Sequence, residues 1–163
     1  MTAETSSLRA EIKQRKPFPS PAEEAAVDLM RTADVVRRRL GEVIEPHGIT
    51  HQQYNVLRIL RGSSPEPLPT LEIATRMIEQ APGITRLLDR LETKRLVRRQ
   101  RCQEDRRQVH CWITAEGLAL LDRLDEPVRL AIRGGFKSLS RATASELVGL
   151  LDRVRAGFRV GAS

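Results

Sequence analysis

Between Ala81 and Arg107 the chain carries nine basic residues: Arg86, Arg90, Lys94, Arg95, Arg98, Arg99, Arg101, Arg106 and Arg107. Four acids oppose them, Asp89, Glu92, Glu104 and Asp105, so this stretch holds a surplus of five out of a net +7 for all 163 residues. Charge focused in this way suits the neutralisation of backbone phosphates better than a uniformly basic surface would. Arg86 and Arg90 stand four apart, on the side of a helix opposite Leu87, Leu88 and Leu91. Pro82, Gly83, Thr85 and Asp89 face outward with them. The planar fork of arginine can grip a guanine edge with two hydrogen bonds. Two arginines alone would be read most simply as a solvated face; the density of charge around them turns the reading toward a polyanion.

Other chemistries find little material. An enzyme needs a nucleophile, a general base and an orienting group in one place. The chain offers only three histidines, His47, His51 and His110, with no phosphate-cradling loop and no G-x-S-x-G turn. Cys102 and Cys111 have no partners at zinc-ligand spacing. No enzyme activity, cofactor or metal is therefore expected. No apolar run approaches the roughly 20 residues that span a bilayer, and residues 1–16 lack the apolar centre of a secretory signal. A cytoplasmic protein without a membrane role is expected. Its cysteines should be reduced thiols, inert unless adjoining strands bring them together.

The elements that would hold these residues are mostly helical. Residues 1–19 form a polar arm or a short extra helix, ended by Pro17, Pro19 and Pro21. Ser20, Pro21 and Glu23 are a helix start with a capping box, followed by Leu29, Ala33, Val36, Leu40 and Val43 on one face. Thr50 and Gln53 form a second box ahead of Tyr54, Leu57 and Leu60. After a proline-rich loop, Pro69-Thr70 opens a short helix with Leu71, Ala74 and Met77 inward. Another helix, residues 81–93, buries Ile84, Leu87, Leu88 and Leu91. Two short helices joined by about four residues suit a helix-turn-helix. The period then changes. Residues 96–102 and 108–114 are β-type runs around a charged loop of hairpin size. Thr114 caps a long helix whose inner face carries Leu118, Leu121, Leu124, Val128 and Ile132, with Pro127 expected to bend it. A last helix carries Leu147, Leu150, Leu151, Val154 and Phe158.

The run from Leu87 to Arg99, LLDRLETKRLVRR, followed by Glu104-Asp105-Arg106-Arg107 and Ile113-Thr114-Ala115-Glu116-Gly117, resembles the signature of the MarR family. The likeness extends over roughly residues 22–158. It implies a mainly α fold with a small β-hairpin wing. A winged helix-turn-helix would occupy residues 47–114 of a single domain spanning 20–163. Residues 20–46 and 115–160 would supply dimerisation helices. It implies a sequence-specific regulator of transcription acting as a homodimer on a palindromic duplex operator, a repressor released by a small aromatic or phenolic acid. A ligand-independent or architectural DNA binder is the alternative.

Roles follow at matching positions. The resemblance gives Arg107 the minor-groove contact of the wing tip, next to Arg106, and makes Asp105 the acid that orients nearby arginines. Thr85 and Arg86 match base- or phosphate-contacting positions, and Arg90, Arg95 and Arg99 extend that surface. Pro82-Gly83 replaces the small hydroxyl residues usual at the helix start. Arg95 replaces a common glycine, and if its backbone keeps φ > 0 the side chain costs stability. Trp112 stands where a small polar residue is usual. A ligand pocket is expected near His47, His51, Tyr54 and Arg58.

Overall fold

The computed structural model describes residues 7–80, 83–103, 105 and 107–160. The chain divides into two compact units, residues 1–39 and 40–163. The first holds α1 (Ser7–Glu11) and most of α2 (Pro21–Ile44). Here the expected arm contains a true short helix, and Arg31 Nη2 grips Glu11 Oε1 at 2.7 Å, tying α1 to α2. Ser20 Oγ accepts the Glu23 backbone N–H at 3.3 Å, as a helix-starting serine should.

The second unit begins with the end of α2 and a single 3-10 turn, Glu45–His47. It continues through α3 (His51–Ser63), β1 (Leu68–Pro69), α4 (Thr70–Arg76), α5 (Ile84–Thr93), β2 (Val97–Arg101), β3 (Val109–Ile113), α6 (Ala115–Gly135) and α7 (Arg141–Val160). The capping box on α3 is complete: the Thr50 side chain accepts from Gln53 N, and the Gln53 side chain accepts from Thr50 N.

The wing has three strands rather than two, in the order β1-β3-β2, all antiparallel. Leu68 pairs with Cys111 and Pro69 with His110. A two-residue strand among prolines carries no readable alternation. Pro69 is tolerated there because an edge strand leaves one side of its backbone unpaired.

A core of Ile44, Val56, Leu57, Leu60, Ile73, Leu88, Leu91, Cys111, Leu121 and Leu124 is sealed from solvent. On α4 the buried residue is Ile73, whereas Leu71 is 78% exposed. The expected inward position was wrong because a seven-residue helix has room for only one stripe. Ile73 and Met77, four apart, occupy it. On α6 burial ends at Val128, and Ile132 lies exposed instead of inward. The helix continues through Pro127 without interruption. No described residue of α7 is buried.

Candidate nucleic-acid interface

Helix α5 starts at Gly83, whose φ of 102° lies where only glycine sits without strain. Gly83 is therefore held by backbone conformation, and Leu87 N donates to its carbonyl at 3.2 Å. Pro82, beside it, lies outside the described residues, as does Arg106. Leu88 and Leu91 are fully buried, which turns Thr85, Arg86, Asp89 and Arg90 to solvent. Among the described residues, no acid is paired with Arg86 or Arg90. Two guanidiniums one turn apart thus project from a short helix with no acidic partner among the described residues.

Arg99 is different. From β2 its Nε donates to Glu92 Oε2 at 3.0 Å, and its Nη2 donates to Asp89 Oδ1 at 2.5 Å and Glu92 Oε2 at 2.7 Å. The backbone N–H of Arg99 also donates to Glu92 Oε1 at 3.1 Å. Partial burial works against its charge, but the bonds to Glu92 and then Asp89 outweigh it and hold the guanidinium firmly protonated. Arg99 and Asp89, both expected at the interface, are engaged with each other. They brace the wing against α5. Glu92, absent from the expected set, completes the brace; its signal was its place three residues after Asp89 on one helix side.

At the end of α5, Arg95 adopts φ 59°, so the left-handed conformation usually given to glycine persists with a side chain attached. Its backbone N–H donates to Glu92 O at 2.8 Å, closing the helix. The Arg95 carbonyl accepts Thr114 Oγ1 at 2.7 Å, and that hydroxyl accepts Gly117 N at 3.1 Å. One threonine thereby caps α6 and fixes the loop leaving α5. A Cβ on Gly117 would stand 2.4 Å from Leu96 O and 2.7 Å from Ile113 Cγ1. The sequence signals were the capping position of Thr114 and the place of Gly117 in the family signature; the reason for the glycine, its contact with the Leu96 carbonyl, comes from 21 residues away. Lys94 Nζ donates to Gly48 O, so that ammonium serves the fold.

In the wing loop the Asp105 carboxylate accepts the Arg107 backbone N–H at 3.0 Å and Gln108 Nε2 at 3.1 Å. These are the bonds of a turn-forming aspartate. Arg107 is exposed at the turn. The four residues expected to line a ligand pocket divide. His51, Tyr54 and Arg58 fall on one stripe of α3, whereas His47 is exposed in the preceding 3-10 turn. Tyr54 is buried, and its hydroxyl accepts Arg58 Nη1 at 3.1 Å.

Cys111 is fully buried, which pushes its thiol pKa up. Its ladder partner is Arg99, whereas Cys102 lies three residues further on, just past the end of β2, beside Gln100, His110 and Trp112 of the other face. Alternation sends the two thiols to opposite faces. They do not meet, and both are free.

The sequence profile of the MarR family matches residues 49–109. A MarR transcription factor from Planctomyces limnophilus is 40% identical, with 83% of this chain and 98% of that one aligned at a TM-score of 0.65. The chain belongs to the MarR family. It is accordingly a DNA-binding regulator of transcription with a winged-helix fold. This MarR-family chain is also similar to Sco3205 from Streptomyces coelicolor, solved in complex with DNA. The identity is 26%, the TM-score 0.74, and 88% of this chain and 92% of that one are covered. The homoprotocatechuate degradative operon repressor of Escherichia coli is 26% identical over 126 residues, 77% of this chain and 84% of the repressor. No described helix is long and apolar enough to cross a membrane.

Proposed function

We propose that this regulator is a repressor that reads a palindromic operator as a two-fold dimer and is released by a small aromatic or phenolic acid. The observation that carries the DNA reading is the pair Arg86 and Arg90 on α5, which has no acidic partner among the described residues, beside a wing locked by Arg99. In this reading α5 enters the major groove, Thr85 and Arg86 contact bases or phosphates, and Arg90 and Arg95 contact phosphates. Gly83, with Pro82, lets the helix start approach the duplex closely. In the same reading Arg107 at the turn shaped by Asp105, and Arg106 next to it in sequence, contact the minor groove, where narrow spacing concentrates negative potential. Asp89 and Arg99 act by positioning the two parts.

Dimerisation through residues 20–46 and 115–160 is supported by the apolar side chains left exposed there, among them Leu29, Met30, Leu130, Val154 and Phe158. A two-fold partner would set two recognition helices about one duplex turn apart. Repression and release by an aromatic acid draw support from the likeness to the homoprotocatechuate operon repressor. The basic stripe His51, Tyr54 and Arg58, with His47 nearby, is the proposed ligand face.

Anisotropy titrations on the promoter region of the chain's own gene test this. Arg86→Ala should cost about 1–3 kcal/mol on the operator and flatten the preference over competitor DNA, whereas Arg107→Ala should weaken all sequences and lower the salt slope by about one. Equal losses on every sequence for both variants would leave an architectural binder instead.

A further inference from the structure

We propose that Asn55, on α3, is a positioning residue for operator reading: its bond to the turn before α5 sets the angle at which α5 presents Arg86 and Arg90. The inference rests on the reading of α5 as the major-groove helix. Helix α4 ends at Arg76, and Met77 is extended, with φ −62° and ψ 139°. From there to Gly83 the described backbone is not helical, so its N–H groups need partners from elsewhere. Ile78 N finds one in Asn55 Oδ1 at 2.9 Å, 23 residues back along the chain. Asn55 is half-buried and is flanked in sequence by the buried Tyr54 and Val56. The Ile78 side chain, by contrast, is 75% exposed. The bond thus runs outward from a core helix to a turn residue that has no apolar anchor of its own.

The two ends of α5 are held differently. At its C-terminal end Leu96 N donates to Leu91 O at 3.0 Å, Lys94 Nζ reaches Gly48 O, and Arg99 joins β2 to Asp89 and Glu92. Its start has no side-chain cap and follows a glycine at φ 102°. Leu88 is sealed in the core and Ile84 packs against it, but apolar contact is non-directional and fixes depth rather than tilt. A hydrogen bond is directional, and the Asn55–Ile78 bond supplies direction on this side. Ten residues of helix are about 15 Å long, so a tilt of about 10° about the braced end moves the start by roughly 2.5 Å. That shift rivals the length of a hydrogen bond. A guanidinium so displaced still meets phosphates, which run all along the backbone, but it misses a chosen base edge. Loss of Asn55 should therefore erase preference and spare affinity for duplex DNA in general. The bond is exposed, so water can replace it and the fold should survive its loss.

Affinity for the operator in the promoter region of the chain's own gene is compared, by anisotropy at one salt concentration, with affinity for a scrambled duplex of equal length. Asn55→Ala should lower the ratio of the two about tenfold or more, the worth of one well-made base contact, with binding to the scrambled duplex little changed. Asn55→Asp keeps an acceptor at the same place. Its added charge weakens both duplexes alike and should leave the ratio as in the wild type. Amide exchange followed by NMR should quicken at Ile78 in Asn55→Ala and stay slow in Asn55→Asp. Circular dichroism reports folding; if Asn55→Ala does not fold, the ratio in Asn55→Asp decides alone. The proposal is overturned if Asn55→Ala keeps the wild-type ratio, weakens both duplexes in proportion, or leaves Ile78 exchange unchanged. Loss of the ratio in Asn55→Asp overturns it too. In each of these cases a wild-type preference for the operator leaves the reading of α5 standing, whereas a wild-type ratio near one removes that reading and this proposal together.

Discussion

Helix α6 behaves as two different objects along its length. From Gly117 to Val128 it buries Gly117, Leu120, Leu121, Leu124 and Val128 in the winged core; beyond that, Leu130, Ile132 and Phe136 are exposed. Its apolar spacing does not change at the transition. What changes is cover: α3 packs on the first half, whereas the second half and α7 have no buried side chain among the described residues. An apolar stripe states that something must be covered. It does not state by which chain, and in the dimer proposed above the second half is the surface a partner would cover.

The contrast can be broken by substitution. Leu121→Ala, in the sealed half, should lower unfolding free energy by about 2–5 kcal/mol through lost transfer energy and a residual cavity. Phe158→Ser on α7 should leave urea unfolding of the dilute chain within about 0.5 kcal/mol while moving sedimentation toward the monomer. A comparable loss for both, with no change in mass, would erase the distinction. Next in size is Gly117→Ala. The added methyl meets the Leu96 carbonyl, backbone that cannot swing aside, and should cost about 1–3 kcal/mol in the same assay.

Two smaller effects sharpen the sealed half. Arg95→Gly relieves a left-handed residue and should raise stability by about 1 kcal/mol or less, since glycine also loosens the unfolded chain. The same variant should weaken DNA binding if Arg95 contacts phosphate, so stability and affinity would move in opposite directions. The smallest effect concerns Asp125 on α6, whose two oxygens accept Arg61 Nη1 and Nη2 of α3, each at 2.8 Å. The bond to Arg61 holds this carboxyl below its ordinary pKa. Because the folded value is the lower one, the stabilisation is full above the unfolded pKa near 3.9 and is lost as pH falls through the folded value. Asp125→Asn should therefore flatten that part of the acid-unfolding curve measured by circular dichroism, and an unchanged curve would show the pair to be idle.

Legibility followed distance along the chain. The Thr50–Gln53 box, the Thr114 cap and the buried Leu88 and Leu91 each depend on residues within one or two turns, and the sequence showed them. Arg99 could not be sorted from Arg86 in that way, because its partners are seven and ten residues off on another element. The third strand failed for a related reason: two residues of β1 have no pattern until they lie beside His110 and Cys111.

Sequence alone settled the helical and strand periods, the caps, the concentration of positive charge between Ala81 and Arg107, and the family signature. These are written in local spacing and composition, which tertiary contacts do not alter. Only the folded arrangement decided which cations are spent inside the molecule and which have no acidic partner among the described residues, that the two thiols face apart, and where the core stops along α6. Each of those depends on which distant atoms arrive within bonding or packing distance, and no local pattern encodes that arrival.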